Sequence, residues 1–470
     1  MNNKTYTILQ SFDKYEVNRL RKFLESPYFN MNDSIVTLFE VFIKDIFAKS
    51  TKELMKEVIW SKIYGQKKYD DVRFRKLNSE LLKLMEKFLA QQVYEDNPIR
   101  QANHLIEAVG GRKLIKLYNS TMRSARRLSE LQKSQPASFY YYQYEIEKNY
   151  YQLTNLDIKR GEKGNIDIMS RNLDIFYFSE KLKWYCSALS RKSISSHEYN
   201  ITFIDEIIRH IDKNSYESIP AIEIYYRIIL TYVENDNEIH YFKLKQLLKE
   251  YSSLFPIDEA YSMYQIAMNY CIGKANKKGQ NFLNEFFELY KILLRNEIFV
   301  NGEISPWDFK NVILASLRLG EYSWTENFIN NYSEKIPIEF RDNAVTYNKA
   351  QLYFYQKKYD DVVLLLNQVD YEDPAYNLNS KLMLIAVYYE TDEIEPLYSL
   401  FESFRVYLNR NKKIPQERKG RYLNLIKFTK KLTKIMPGDK RSIEKLNVEI
   451  SEAKGVVNLK WLKEKIAELE

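Results

Sequence analysis

The chain has 470 residues, 45% hydrophobic and 29% charged, a length beyond one compact core that points to two domains or an elongated repeat array. Its 12 glycines and 11 prolines are too few for the phosphate-cradling loops of nucleotide-binding α/β folds or the tight turns of β-rich folds, so long uninterrupted helices are expected. The formal net charge of +8 hides basic ends and an acidic middle: residues 1–135 sum to +9, residues 136–400 to −10 and residues 401–470 to +9.

The first 98 residues read as an N-terminal helical module of four helices. Asp13 to Glu16 open the first, with Val17, Leu20, Phe23 and Leu24 on one face at helical spacing, and Pro27 ends it. Asp33-Ser34 caps a second, striped by Ile35, Leu38, Phe39, Phe42 and Ile43. Ser50 and Glu53 have capping-box spacing for a third that ends at Gly65, and Phe74 to Leu89 stripe a fourth, from about Asp70 to Tyr94. Residues 99–470 read as helical hairpins. Segments 99–109 and 112–134 flank Gly110-Gly111, segments 138–155 and 166–191 flank a loop with Gly161 and Gly164, and two helices fill about 199–213 and 220–234. A capping helix over about 456–469 carries Leu459, Leu462, Ile466 and Leu469.

Two cysteines, Cys186 and Cys271, sit in apolar helical patterns and fit a reducing compartment. The first residues lack an apolar core of signal-peptide length, and no membrane-length apolar run occurs, so a cytoplasmic protein is expected. The 39 tyrosines and 25 phenylalanines suit half-buried positions between helices as well as binding surfaces.

The clearest periodicity lies over residues 305–405. Gly320, Lys357 and Asp392 hold equivalent turn positions 37 and 35 residues apart, with Ile329, Leu366 and Phe401 on the buried stripe that follows each. Pro220, Pro256, Pro337, Pro374 and Pro415 punctuate the same series, with Pro306 and Pro396 outside it. This stretch resembles the tetratricopeptide repeat, a helical hairpin of about 34 residues that stacks into an α-α superhelix. The match is degenerate: the small residue expected at the closest helix approach is Thr325, Val362 and Leu397, and the early tryptophan is Phe309, Thr346 and Lys381. The resemblance implies an all-α fold with a concave face on the first helices that holds an extended peptide. Its groove positions fall on Trp307, Lys310, Asn311, Leu314 and Arg318, then Tyr347, Asn348, Gln351, Phe354 and Tyr355, then Leu382, Ala386 and Tyr389. Lys310 and Arg318, with the two asparagines, would meet a carboxylate or a peptide backbone.

No catalytic constellation accompanies this pattern. His104, His197, His210 and His240 have no second ligand at metal spacing, Gly110-Gly111-Arg112-Lys113 lacks P-loop spacing, and no Gly-x-Ser-x-Gly elbow occurs. The expectation is a non-enzymatic scaffold or protein-interaction protein, without cofactor, metal or membrane contact, binding a protein or peptide partner. The alternative is a nucleic-acid-associated protein using basic segments 112–127 (Lys113, Lys116, Arg123, Arg126, Arg127) and 405–434 (Arg410, Lys412, Lys413, Arg418, Lys419, Arg421), with Tyr407, Tyr422 and Phe428 to stack on bases.

Overall fold

The computed structural model describes residues 3–48, 54–112, 114–154, 164–192, 198–214, 216–278, 280–369, 374–412 and 414–470. Ser50, Glu53, Lys113, Gly161, His197 and Lys413, all singled out in the sequence, lie outside them. Among the described residues the chain forms 23 α-helices and three short 3-10 turns, with no strand. The protein is all-α. No helix of the described residues is long and apolar enough to cross a membrane. The chain divides into two compact units, Met1–Phe178 and Ser179–Glu470, so the first unit extends well past residue 98.

The first unit contains α1 (Lys4–Gln10), α2 (Lys14–Glu25), α3 (Asp33–Phe47), α4 (Lys56–Tyr64), α5 (Asp71–Glu95), α6 (Pro98–Gly111), α7 (Ile115–Leu131), α8 (Ala137–Thr154) and the start of α9 (Ile166–Lys192). The module before Pro98 therefore has five helices where the sequence pattern predicts four. The additional one, α1, is only seven residues long, too short for a periodic stripe. Asn3 caps it by accepting from the Tyr6 N–H at 2.8 Å, and Leu9 locks it into the core. Asp13 and Glu16 form a reciprocal capping box on α2. The cap of α3 is Asn32 rather than Asp33. Leu9 of α1 and the apolar faces of α2 to α5 merge into one core around Leu20, Leu38, Phe39, Phe42, Leu81 and Met85, and a second core joins α6, α7 and α8.

The second unit continues with α10 (Ile204–Lys213), α11 (Pro220–Val233), α12 (Ile239–Tyr251), α13 (Ile257–Lys278), α14 (Gln280–Arg295), α15 (Pro306–Arg318), α16 (Tyr322–Tyr332), α17 (Ile338–Tyr355) and α18 (Tyr359–Leu366). It ends with α19 (Pro374–Glu390), α20 (Ile394–Arg410), α21 (Gln416–Leu432), α22 (Lys440–Glu452) and α23 (Leu459–Ala467). Packing follows chain order: α11 on α12, α13 on α14, α15 on α16, α17 on α18, α19 on α20, and α21 on both α22 and α23. First helices also touch the next first helix, as α11 touches α13, α15 touches α17 and α17 touches α19. The sequence groups α10 with α11, whereas α11 packs closely on α12.

The turn positions aligned by sequence share one geometry. Gly320, Lys357 and Asp392 all sit in the left-handed region, at φ 82°, 59° and 59°. In each case the next residue donates its N–H to the carbonyl five residues back: Glu321 to Ser316, Lys358 to Tyr353 and Glu393 to Tyr388, at 2.9 Å every time. This is the hydrogen-bonded left-handed stop that closes a helix and redirects the chain. Glu297, at φ 50°, carries the same turn, with Ile298 donating to Leu293 at 3.0 Å. Thr325, Val362 and Leu397, five residues past the turns, are fully buried, as are Ile313, Ala350 and Ile385 seven residues before them.

The prolines that punctuate the series mark helix starts. Pro220, Pro306 and Pro374 open α11, α15 and α19, Pro337 and Pro415 are the caps of α17 and α21, and Pro256 directly precedes α13. Every one of these first helices starts at a proline, whose fixed φ and missing N–H suit the first turn. Pro306 thus belongs to the series.

Candidate functional site

The predicted groove residues lie on α15, α17 and α19, and the structure divides them into three groups. The first is an aromatic cluster. The Lys310 ammonium lies 4.9 Å from the centre of the Trp307 ring and 5.4 Å from that of Tyr376. Tyr376 in turn meets Tyr347 edge-on at 4.6 Å. Trp307 remains half exposed, but Lys310 keeps only 7% of its surface and Tyr347 none. A cation between two aromatic faces is held by their quadrupoles. Lys310 is therefore an interior cation rather than an open ligand-binding one, a correction to the sequence reading. Asn348 is also interior, its amide donating to the Ala344 carbonyl at 2.7 Å.

The second group surrounds a cavity of about 260 Å³. Leu314 comes from α15, Tyr347, Gln351, Phe354 and Tyr355 from α17, and Leu382 from α19, all of them groove positions by sequence. Asn379 and Met383 of α19 add to the wall, and Val457 and Asn458, from the loop before α23, complete it. The Gln351 amide donates to the Tyr347 hydroxyl at 3.0 Å, and its buried carbonyl oxygen has no hydrogen-bond partner among the described residues. Burial raises the pKa of Tyr355, and the nearby Arg318 guanidinium pulls it partly back. In a chain with 29% charged residues no side chain lining the cavity is charged at neutral pH.

The third group does not join the cavity. Asn311 and Arg318 are exposed on α15, and eight residues of helix separate Arg318 from Lys310, about 12 Å of axial rise. They form no common carboxylate clamp. Tyr389 is covered by the chain's own C-terminus: the Trp461 ring meets it edge-on at 5.5 Å, while the Trp461 indole N–H (3.3 Å) and the Lys465 ammonium (2.7 Å) reach Glu390. Ala386 is interior.

Sequence reasoning misses Asn379, Met383, Val457 and Asn458. The first two lie on α19, one turn before and one residue beyond the mapped Leu382. The last two arrive by the return of the chain, where Val457 donates to the Arg421 carbonyl at 3.3 Å and the Gly455 carbonyl accepts from the Asn424 amide at 2.9 Å. The only local signal is Asn458 itself, an asparagine in the left-handed region (φ 57°) just before a helix.

The basic segments are partly paired with acids. Arg126 pairs with Glu147 at 3.4 Å and lies over Tyr150. Lys116, Arg123 and Arg127 are exposed along α7. In the C-terminal segment Arg421 pairs with Glu417, Lys427 and Lys431 with Glu449, and Lys430 with Glu402. Lys419 is buried, Arg410, Lys412 and Arg418 are exposed, and Tyr422 and Phe428, offered as base-stacking rings, are core residues. Among the described residues no group of three or more His, Cys, Asp or Glu side chains is arranged for a metal.

No family model, curated protein or solved structure matches the chain. Its class rests on its geometry: an all-α protein whose helices pack pairwise in chain order.

Proposed function

We propose that residues 179–470 form a tetratricopeptide-like superhelix that binds a polypeptide partner, without catalysis, at the face shared by α15, α17 and α19. The observation that carries this reading is the uncharged cavity, where six groove-mapped side chains from three successive first helices converge. Its mixture of aromatic walls and amides suits an apolar side chain together with the backbone around it. The shared left-handed turns and helix-opening prolines support the repeat itself. The two free, buried cysteines fit a reducing, cytoplasmic setting. Pairing of Arg126 and Arg421 with acids, and burial of Lys419, Tyr422 and Phe428, weigh against a nucleic-acid role.

Site-specific photo-cross-linking tests the proposal. A benzophenone amino acid at Asn379, in the cavity wall, is expected to give a discrete protein adduct in cells. The same probe at Leu364, exposed on α18, is expected to give none. Equal adducts at both positions, or none at Asn379, would reject the site.

A further inference from the structure

A second cleft of about 260 Å³ lies between α14 and α16, away from the face just described. Its floor is a ladder of rings at positions i, i+4 and i+8 of α16. Trp324 stacks on Phe328 (5.0 Å, 7° between planes) and Phe328 on Tyr332 (5.2 Å, 26°). Phe328 is buried, and Trp324 and Tyr332 are partly open. Beside the ladder Asn327 and Asn331, one turn apart, line the cleft with exposed side chains. Facing them from α14 are Lys291 and Arg295, again one turn apart.

The hydrogen-bonding state of these groups points to a ligand. Lys291 is occupied, paired with Glu288 and lying 4.7 Å from the centre of the Phe287 ring. Arg295 is exposed and makes no ion pair or hydrogen bond among the described residues, and the same holds for the side-chain amides of Asn327 and Asn331. No carboxylate lines the cleft. A fork of guanidinium donors and two amides thus stands open above an aromatic floor. Guanidinium is the side chain best matched to the paired oxygens of a carboxylate or phosphate. The volume is below the roughly 300–1,000 Å³ of sites for drug-sized ligands, enough for a single ring and its charged group.

We infer that the α14–α16 cleft binds a small anion carried on an aromatic or apolar body. Its oxygens meet Arg295 and the amides of Asn327 and Asn331, and its body lies against Trp324 and Tyr332. Carboxylate and phosphate share this chemistry. This site is independent of the polypeptide-binding face and stands or falls separately.

Calorimetry and saturation-transfer NMR on the full chain test it with four probes: phenyl phosphate, phenylacetate, benzyl alcohol and inorganic phosphate. At least one ring-bearing anion is expected to bind at least about tenfold more tightly than neutral benzyl alcohol and ring-free phosphate, as expected for a charge-assisted hydrogen bond added to ring burial. Tighter binding of phenyl phosphate assigns a phosphate ligand, and of phenylacetate a carboxylate. Arg295→Gln, a change at an exposed side chain with no partner, is expected to weaken the anion about tenfold with an unchanged melting curve. Benzyl alcohol binding equally well, an unchanged affinity in Arg295→Gln, or no binding of either ring-bearing anion would overturn the assignment.

Discussion

A lysine at φ 59° and an aspartate at φ 59° hold backbone conformations that a side chain disfavours, and their counterpart in the preceding repeat is a glycine. The left-handed region costs an L-residue about 1–2 kcal/mol, partly offset because glycine has more freedom to lose on folding. Nothing lies within 4 Å of a Cβ added at Gly320, so substitution there reports the conformational cost alone. Gly320→Ala is expected to lower unfolding stability by about 1 kcal/mol, and Lys357→Gly and Asp392→Gly to raise it by about 0.5 kcal/mol each. Denaturant midpoints at unchanged slope check both signs. A stabilised Gly320→Ala would mean that the three turns are not equivalent.

Among the elements, the C-terminal helix has the most to hold together. Leu462 and Ile466 of α23 enter a core with Phe428 and Leu432 of α21 and Ile443, Leu446 and Ile450 of α22, while Trp461 seals Tyr389 of α19. Truncating a side chain as buried as Leu462 leaves a void, and Leu462→Ala is expected to cost about 2–5 kcal/mol, read as a lower denaturant midpoint. The apolar stripes that place α2, α3, α5 and α23 were legible in the sequence because burial on one face enforces a 3.6-residue period. The pairing register was less so. A stripe says that a helix has a buried face, not which neighbour covers it, and α11 turned out to pack closely on the helix that follows it. The same limit affected the groove. Offsets along α15 and α17 brought Leu314, Gln351 and Phe354 to one cavity. They did not reveal that Tyr376 would insert beside Tyr347 and draw Lys310 inward, because that depends on how α19 is set against its neighbours. Asn458 was out of reach, since its place depends on a chain reversal after α22.

Across the whole molecule, tyrosine dominates the response to alkaline pH. Burial, helped by carboxylate neighbours, pushes Tyr6, Tyr69 and Tyr226 up to about 12, and burial puts Tyr118, Tyr270 and the Cys271 thiol at about 12 as well. In the unfolded chain these phenols ionise near 10 and the thiol near 8.5. The folded state therefore holds protons that the unfolded state releases. Stability from these groups is complete below the unfolded values and is lost as pH rises through the folded ones. The expected outcome is a melting temperature that falls steeply between about pH 10 and 12, with the tyrosinate absorbance of the buried rings appearing together with loss of helix. Tyrosinate absorbance developing fully near pH 10 with helicity intact would contradict the burial of these rings.

The chain-order packing of the second unit also has a consequence during synthesis. A helix pair that rests on the pair before it finds its docking surface already made when it leaves the ribosome, so assembly can keep pace with translation without long-range searching. The exception is α23. Until residues 459–467 emerge, the apolar faces of α21 and α22 remain open to solvent. A nascent chain stalled just short of them would carry the sticky surface that chaperones recognise, and α23 is the helix that closes it.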